Sequence, residues 1–70
     1  MDEQVLKLFG KKIYKLRKER GLSQEMLADA AGIERSYMGT IERGERNPTF
    51  LKIYGIAKAL KVSAGELLPF

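Results

Sequence analysis

The stretch from Gln24 to Arg43, QEMLADAAGIERSYMGTIER, restricts the fold more than any other part of the chain. Leu27, Ala28 and Ala31 fall on one face of a short helix. Gly32 marks a break, Ile33 follows it, and Met38 and Ile41 lie three apart on a second helix, so both can point inward. Ala28 leaves room for a close helix crossing. Gly32 is free to take the positive φ that a sharp helix end requires. Two short helices held across a tight turn follow from this spacing. That is a helix-turn-helix, a unit that presents its second helix outward.

The flanking sequence supplies further helices and no alternating strand pattern. Asp2 caps a first helix that reaches Arg20 and is stopped by Gly21. Val5, Leu6, Phe9, Ile13 and Leu16 form its core stripe. Lys7, Lys11, Lys15 and Lys18 lie away from that stripe and read as a solvated face. Ser23 caps the second helix, Gln24 to about Ala31, and Glu34 the third, Arg35 to about Arg43, with Gly44 ending it. The polar loop Glu45-Arg46-Asn47-Pro48 cannot continue a helix. Thr49 caps a fourth helix, Phe50 to about Lys61, whose apolar face of Phe50, Ile53, Tyr54, Ile56, Ala57 and Leu60 is wider than one core contact needs. Ser63 and Glu66 form a capping box for a short fifth helix through Leu67 and Leu68. The expected fold is all-α: one domain over residues 1–70, a five-helix bundle containing the helix-turn-helix at about 24–43.

Composition narrows the chemistry. With no Cys there is no disulfide framework or thiolate metal site, and with no His the commonest general base and zinc ligand are absent. Asp29, Glu34, Glu42 and Glu66 are scattered over helix ends and faces without a nucleophile, metal cluster or phosphate loop beside them. An enzyme is the least favoured class, and no metal, cofactor or small-molecule ligand is expected. No apolar run approaches the roughly 20 residues of a membrane span. A soluble cytoplasmic protein is the plain expectation. The net charge of +4 favours a polyanionic partner.

Stepping 100° per residue along the third helix puts Met38, Ile41 and Glu42 at roughly 240° to 340° from Arg35, the inward side. Arg35, Ser36, Gly39, Thr40 and Arg43 span the outward side. These are the residues a reader of the DNA major groove would carry. Arg35 suits guanine O6 and N7, and Ser36 and Thr40 suit base edges or phosphate. Gly39 would bring the helix backbone close to the groove floor. Glu34 suits cytosine N4, although a helix cap is an equal reading. Tyr37 is better placed for a phosphate than a base. Gln24 at the start of the second helix, with Arg43, Arg46 and Asn47 on the other side, would meet the DNA backbone. The ordinary reading of Arg46 and Asn47 is an exposed loop. Arg17, at the edge of the first stripe, and Glu42 should form a partly buried ion pair, with phosphate as a second role for Arg17.

These residues resemble the phage-repressor (Cro/C1, or Xre-type) helix-turn-helix family over nearly the whole chain. The similar segments are Gly21-Leu22-Ser23-Gln24, Leu27-Ala28, Gly32-Ile33, Ile41-Glu42-Arg43-Gly44 and Asn47-Pro48-Thr49. The resemblance implies five helices, a phosphate-binding Gln24 and an Arg17–Glu42 pair. Within the family, Arg35-Ser36-Tyr37 through Gly44 and Arg46-Asn47 look like the controller proteins of restriction–modification systems. Gly39-Thr40 departs from their more usual pattern. That likeness implies a homodimer on operator DNA, activating and then repressing. Ile56, Val62, Leu67, Leu68 and Phe70 are the candidate dimer contacts, with a monomer-core role the alternative for Val62, Leu67 and Leu68. Phage, plasmid and chromosomal repressors share the same motifs. A second class, an antitoxin or coactivator-type module that binds a protein partner, is disfavoured by the polar, basic outward set.

Overall fold

The computed structural model describes residues 1–69. Five helices follow in order: α1 (Glu3–Glu19), α2 (Gln24–Ala31), α3 (Arg35–Glu42), α4 (Phe50–Leu60) and α5 (Ala64–Leu67). Among the described residues no strand occurs and no helix is long and apolar enough to cross a membrane. Four of the five starts are capped by a side-chain oxygen. Asp2 accepts from the Val5 N–H at 2.8 Å, Ser23 from Met26 at 3.0 Å, Thr49 from Lys52 at 3.3 Å and Ser63 from Glu66 at 3.2 Å. Each such bond satisfies a helix-end N–H that would otherwise need water.

The α2–α3 turn forms as its sequence requires. Gly32 has φ +71°, and the Ile33 N–H bonds back to the Ala28 carbonyl at 2.9 Å. This is the Schellman arrangement, in which a left-handed residue lets the chain satisfy the last carbonyls of a helix while leaving it sharply. Ile33 is thereby carried into the core.

Phe9, Ile13, Leu27, Met38, Ile41, Ile56, Leu60 and Leu67 are fully buried and draw all five helices onto one centre. Each contributes roughly 1.5–3 kcal/mol of burial before chain entropy is charged against it. α2 lies along α4, while α1 packs on α3 and closes against α5. Gly10 permits the α1–α3 approach. A Cβ there would stand 2.6 Å from the Ile41 carbonyl oxygen and closer still to that of Glu42.

The structure corrects Ile56 as an expected dimer contact and, of the two readings of Leu67, supports the monomer-core one. Ile56 and Leu67 are both 0% exposed, so neither offers surface to a partner. Ile56 lies between Ile53 and Leu60 on the core side of α4, and Leu67 is the fully buried side chain of α5. Val62 and Leu68 are half-buried. Phe70 lies outside the described residues. The wide apolar face of α4 splits into the buried Ile53, Ile56, Ala57 and Leu60 and an outward set. Phe50, Leu51 and Tyr54 are 73%, 76% and 53% exposed.

Candidate nucleic-acid interface

α3 is fixed from beneath by an ionic network. Arg17 on α1 donates through Nε to Glu42 Oε2 at 2.8 Å and through Nη2 to Oε1 at 3.0 Å, a bidentate pair. Its remaining nitrogen, Nη1, donates to the Leu22 carbonyl at 3.0 Å. The guanidinium also lies 5.1 Å from the centroid of the Tyr14 ring. The hydrogen bond to Glu42 raises the Arg17 pKa above its ordinary value, against the opposing effect of burial. Arg17 is only 7% exposed, and each of its guanidinium nitrogens already has an acceptor. The geometry accounts for the ion-pair role: this side chain is largely covered and orients α3.

Gln24 joins the same network, donating from Nε2 to Glu42 Oε1 at 3.2 Å. Its amide is thus held at the start of α2, beside the first turn where the helix dipole favours an anion. Gln24 and Arg43 also cover Gly39. A Cβ on Gly39 would lie 3.2 Å from an Arg43 guanidinium nitrogen and 3.5 Å from Gln24 Oε1. Gly39 is buried, so it does not lie bare against a groove floor as its helical angle suggests. The wheel places it outward on an isolated helix, but the packed N-terminus of α2 covers that angle.

On the open side of α3, Arg35 and Ser36 are exposed. Glu34, Ser36, Tyr37, Thr40 and Arg46 line one shallow depression beside them. Glu34 occupies the N-cap position of α3 but makes no side-chain capping bond. Glu34 thus caps α3 by position alone, and its exposed carboxylate stays at the positive start of the helix. Thr40 is half-buried and donates its hydroxyl to the Tyr37 carbonyl at 2.6 Å. What remains to meet a ligand is an oxygen lone pair and a methyl group.

Arg43 and Glu45 form an exposed ion pair at 3.0 Å, so Arg43 reaches an outside anion by exchanging one exposed acceptor for another. Arg46 and Asn47 are both exposed in the α3–α4 loop, with Arg46 Cζ 5.1 Å from the Tyr37 ring centroid. Lys52 of α4, to which the sequence reading gave no role, places its Nζ 5.0 Å from the same centroid. Its one sequence signal is a cation in the first turn of a helix, where the dipole disfavours it. Phe50 belongs to the wide α4 apolar face read from the sequence, whereas Leu51, exposed beside it, was not in that face.

Over residues 13–67 the sequence matches the helix-turn-helix family HTH_3. It is 39% identical over 71 aligned residues to control protein C.BamHI of Bacillus amyloliquefaciens, covering 100% of this chain and 88% of that protein. The fold superposes on the restriction-modification controller protein C.AhdI from Aeromonas hydrophila with a TM-score of 0.88 and 44% identity, over 90% of this chain and 96% of that one. It is also similar to the Bacillus subtilis regulator SinR, the master regulator for biofilm formation, in its crystal structure with DNA. There the TM-score is 0.80 at 37% identity, over 84% of this chain and 95% of that one.

Proposed function

This chain belongs to the helix-turn-helix family HTH_3 and is a DNA-binding transcriptional regulator; within that family we propose that it binds a palindromic operator as a homodimer and acts as the controller of a restriction–modification system. The observation that carries the DNA-reading part is the convergence of Glu34, Ser36, Tyr37, Thr40 and Arg46 around one depression, with Arg35 exposed beside it. These groups are polar, outward and on a rigid helix, which suits base edges better than an apolar protein partner.

The roles divide by reach. Arg35 makes the bidentate contact to guanine, and Ser36 reads a neighbouring base. Thr40 offers its methyl to thymine. Glu34, uncapped, accepts from cytosine N4. Gln24, Tyr37, Arg43, Arg46 and Asn47 grip phosphates on either side and set the register. Arg17 and Glu42 touch no DNA in this scheme and hold α3 and Gln24 in place.

One recognition helix reads only a few base pairs. The described chain measures 27 × 23 × 21 Å, so two copies side by side suit helices about 34 Å apart, one duplex turn. The outward face of α4 supplies an apolar surface for the second copy. Selection of bound duplexes from a random-sequence pool tests the proposal. An enriched palindrome with half-sites one turn apart is expected. An unenriched pool would remove the sequence-reading role and favour a protein-binding module. Where the selected site lies upstream of an endonuclease gene, the controller assignment stands. A site beside unrelated genes replaces it with a phage, plasmid or chromosomal repressor.

A further inference from the structure

Tyr37 has two cations at its ring, and they come from different elements. Arg46 reaches it from the α3–α4 loop and Lys52 from α4, at 5.1 and 5.0 Å from the ring centroid. Neither cation has an acidic partner within ion-pair distance among the described residues. Glu34 lines the depressions beside both without pairing with either. Lys52 is half-buried, and its ammonium borders a hollow lined by Gly32, Ile33, Glu34 and Tyr37.

This arrangement is unfavourable within the free chain. Two positive charges are held at one ring, Arg46 beside the Ser36–Thr40 depression and Lys52 beside the Gly32–Ile33 hollow. Lys52 also stands in the first turn of α4, three residues after the cap Thr49, where the helix dipole repels a cation and the turn itself carries no acidic residue. Attraction to the ring offsets part of this. An anion between the cations and solvent would offset the rest, and duplex DNA presents regularly spaced phosphates beside a docked α3.

We propose that Tyr37 holds Arg46 and Lys52 together as a seat for the DNA backbone, so that Lys52 on α4 is a further phosphate-binding residue and the Tyr37 ring positions both cations. The proposal rests on the DNA-binding reading above and extends the interface from the helix-turn-helix onto α4.

The salt dependence of binding tests it, with fluorescently labelled duplex of the selected sequence and an unselected duplex of equal length. Each phosphate contact contributes about 0.9 to the slope of log K against log salt. Lys52→Gln should lower the slope by about 0.9 and weaken both duplexes by a similar factor, while Lys52→Arg keeps the slope. Thermal stability should not fall in Lys52→Gln, because a cation leaves the positive end of a helix; a purely structural lysine would show the reverse pattern. Tyr37→Phe keeps the ring and should keep the slope, whereas Tyr37→Leu should lose nearly as much slope as Arg46→Ala and Lys52→Gln combined. A wild-type slope in Lys52→Gln, with Arg46→Ala still lowering it, overturns the seat and leaves the DNA-binding reading intact. Absence of salt-dependent binding by the unaltered protein overturns both.

Discussion

Arg17 and Glu42 carry the largest consequence of any single pair. Both side chains are under one-tenth exposed, so removing either strands a charge in a poorly solvated place. Arg17→Met or Glu42→Leu alone should cost about 3–5 kcal/mol, and the double variant should recover most of it, read from chemical denaturation. Equal losses in the single and double variants would show that the pair acts through packing instead. The raised Arg17 pKa gives stability that is complete below the unfolded-state value and lost only as pH rises through the higher folded one. That window is strongly alkaline, so the pair stays intact at neutral pH. The pair was legible because Arg17 and Glu42 each fell at the inner edge of a helical stripe. That a third acceptor would meet Arg17 was not, since the Leu22 carbonyl enters only through the α1–α2 turn. At the reading face, Arg35→Ala should weaken operator binding by about 1–3 kcal/mol and relax preference at one base pair. Wild-type affinity and selectivity in that variant would move the reading face elsewhere.

Helix boundaries matched their local signals because each depends on neighbouring residues. Asp2, Ser23, Thr49 and Ser63 cap as short polar side chains do, each accepting from the N–H three residues on. α3 is the exception. Its cap residue Glu34 is too long to fold back easily and leaves its carboxylate outward. The α1–α3 contact is steric and is set by Gly10, a residue the sequence reading passed over. Gly10→Ala presses a methyl into the backbone carbonyls of Ile41 and Glu42, which cannot swing aside as a side-chain tip could. Overpacking of this kind costs about 1–3 kcal/mol, and the melting temperature should fall accordingly. An unchanged melting temperature would mean that α1 and α3 separate freely, and would weaken the view that α1 holds the reading helix rigid.

At the scale of the molecule, the fold closes its core with Ile56 and Leu67 and leaves Phe50, Leu51 and Tyr54 outside. Large apolar side chains grouped on one exposed helix face suit a partner surface. The homodimer proposal then has a direct check in sedimentation velocity. Leu51→Glu combined with Tyr54→Glu should shift the protein toward the mass of one chain, 7.9 kDa, without lowering its melting temperature. Operator affinity should drop because a monomer reads one half-site. Unaltered self-association in that variant would direct attention to Val62 and Leu68, the half-buried residues near α5.

The sequence by itself determined what depends on short-range chemistry. Caps, the Gly32 break, apolar periodicity and the outward polar set of α3 each involve residues within a turn or two of one another, so the five helices and the proposed reading face were open to inspection. The tertiary structure decided how far each face is covered, because burial depends on which helix arrives from elsewhere in the chain. α2 covers Gly39, the α1–α2 turn supplies a third acceptor to Arg17, and the core draws in Ile56 and Leu67. It also brought Lys52 to the Tyr37 ring across fifteen residues of sequence (52 − 37), a meeting that no local pattern encodes.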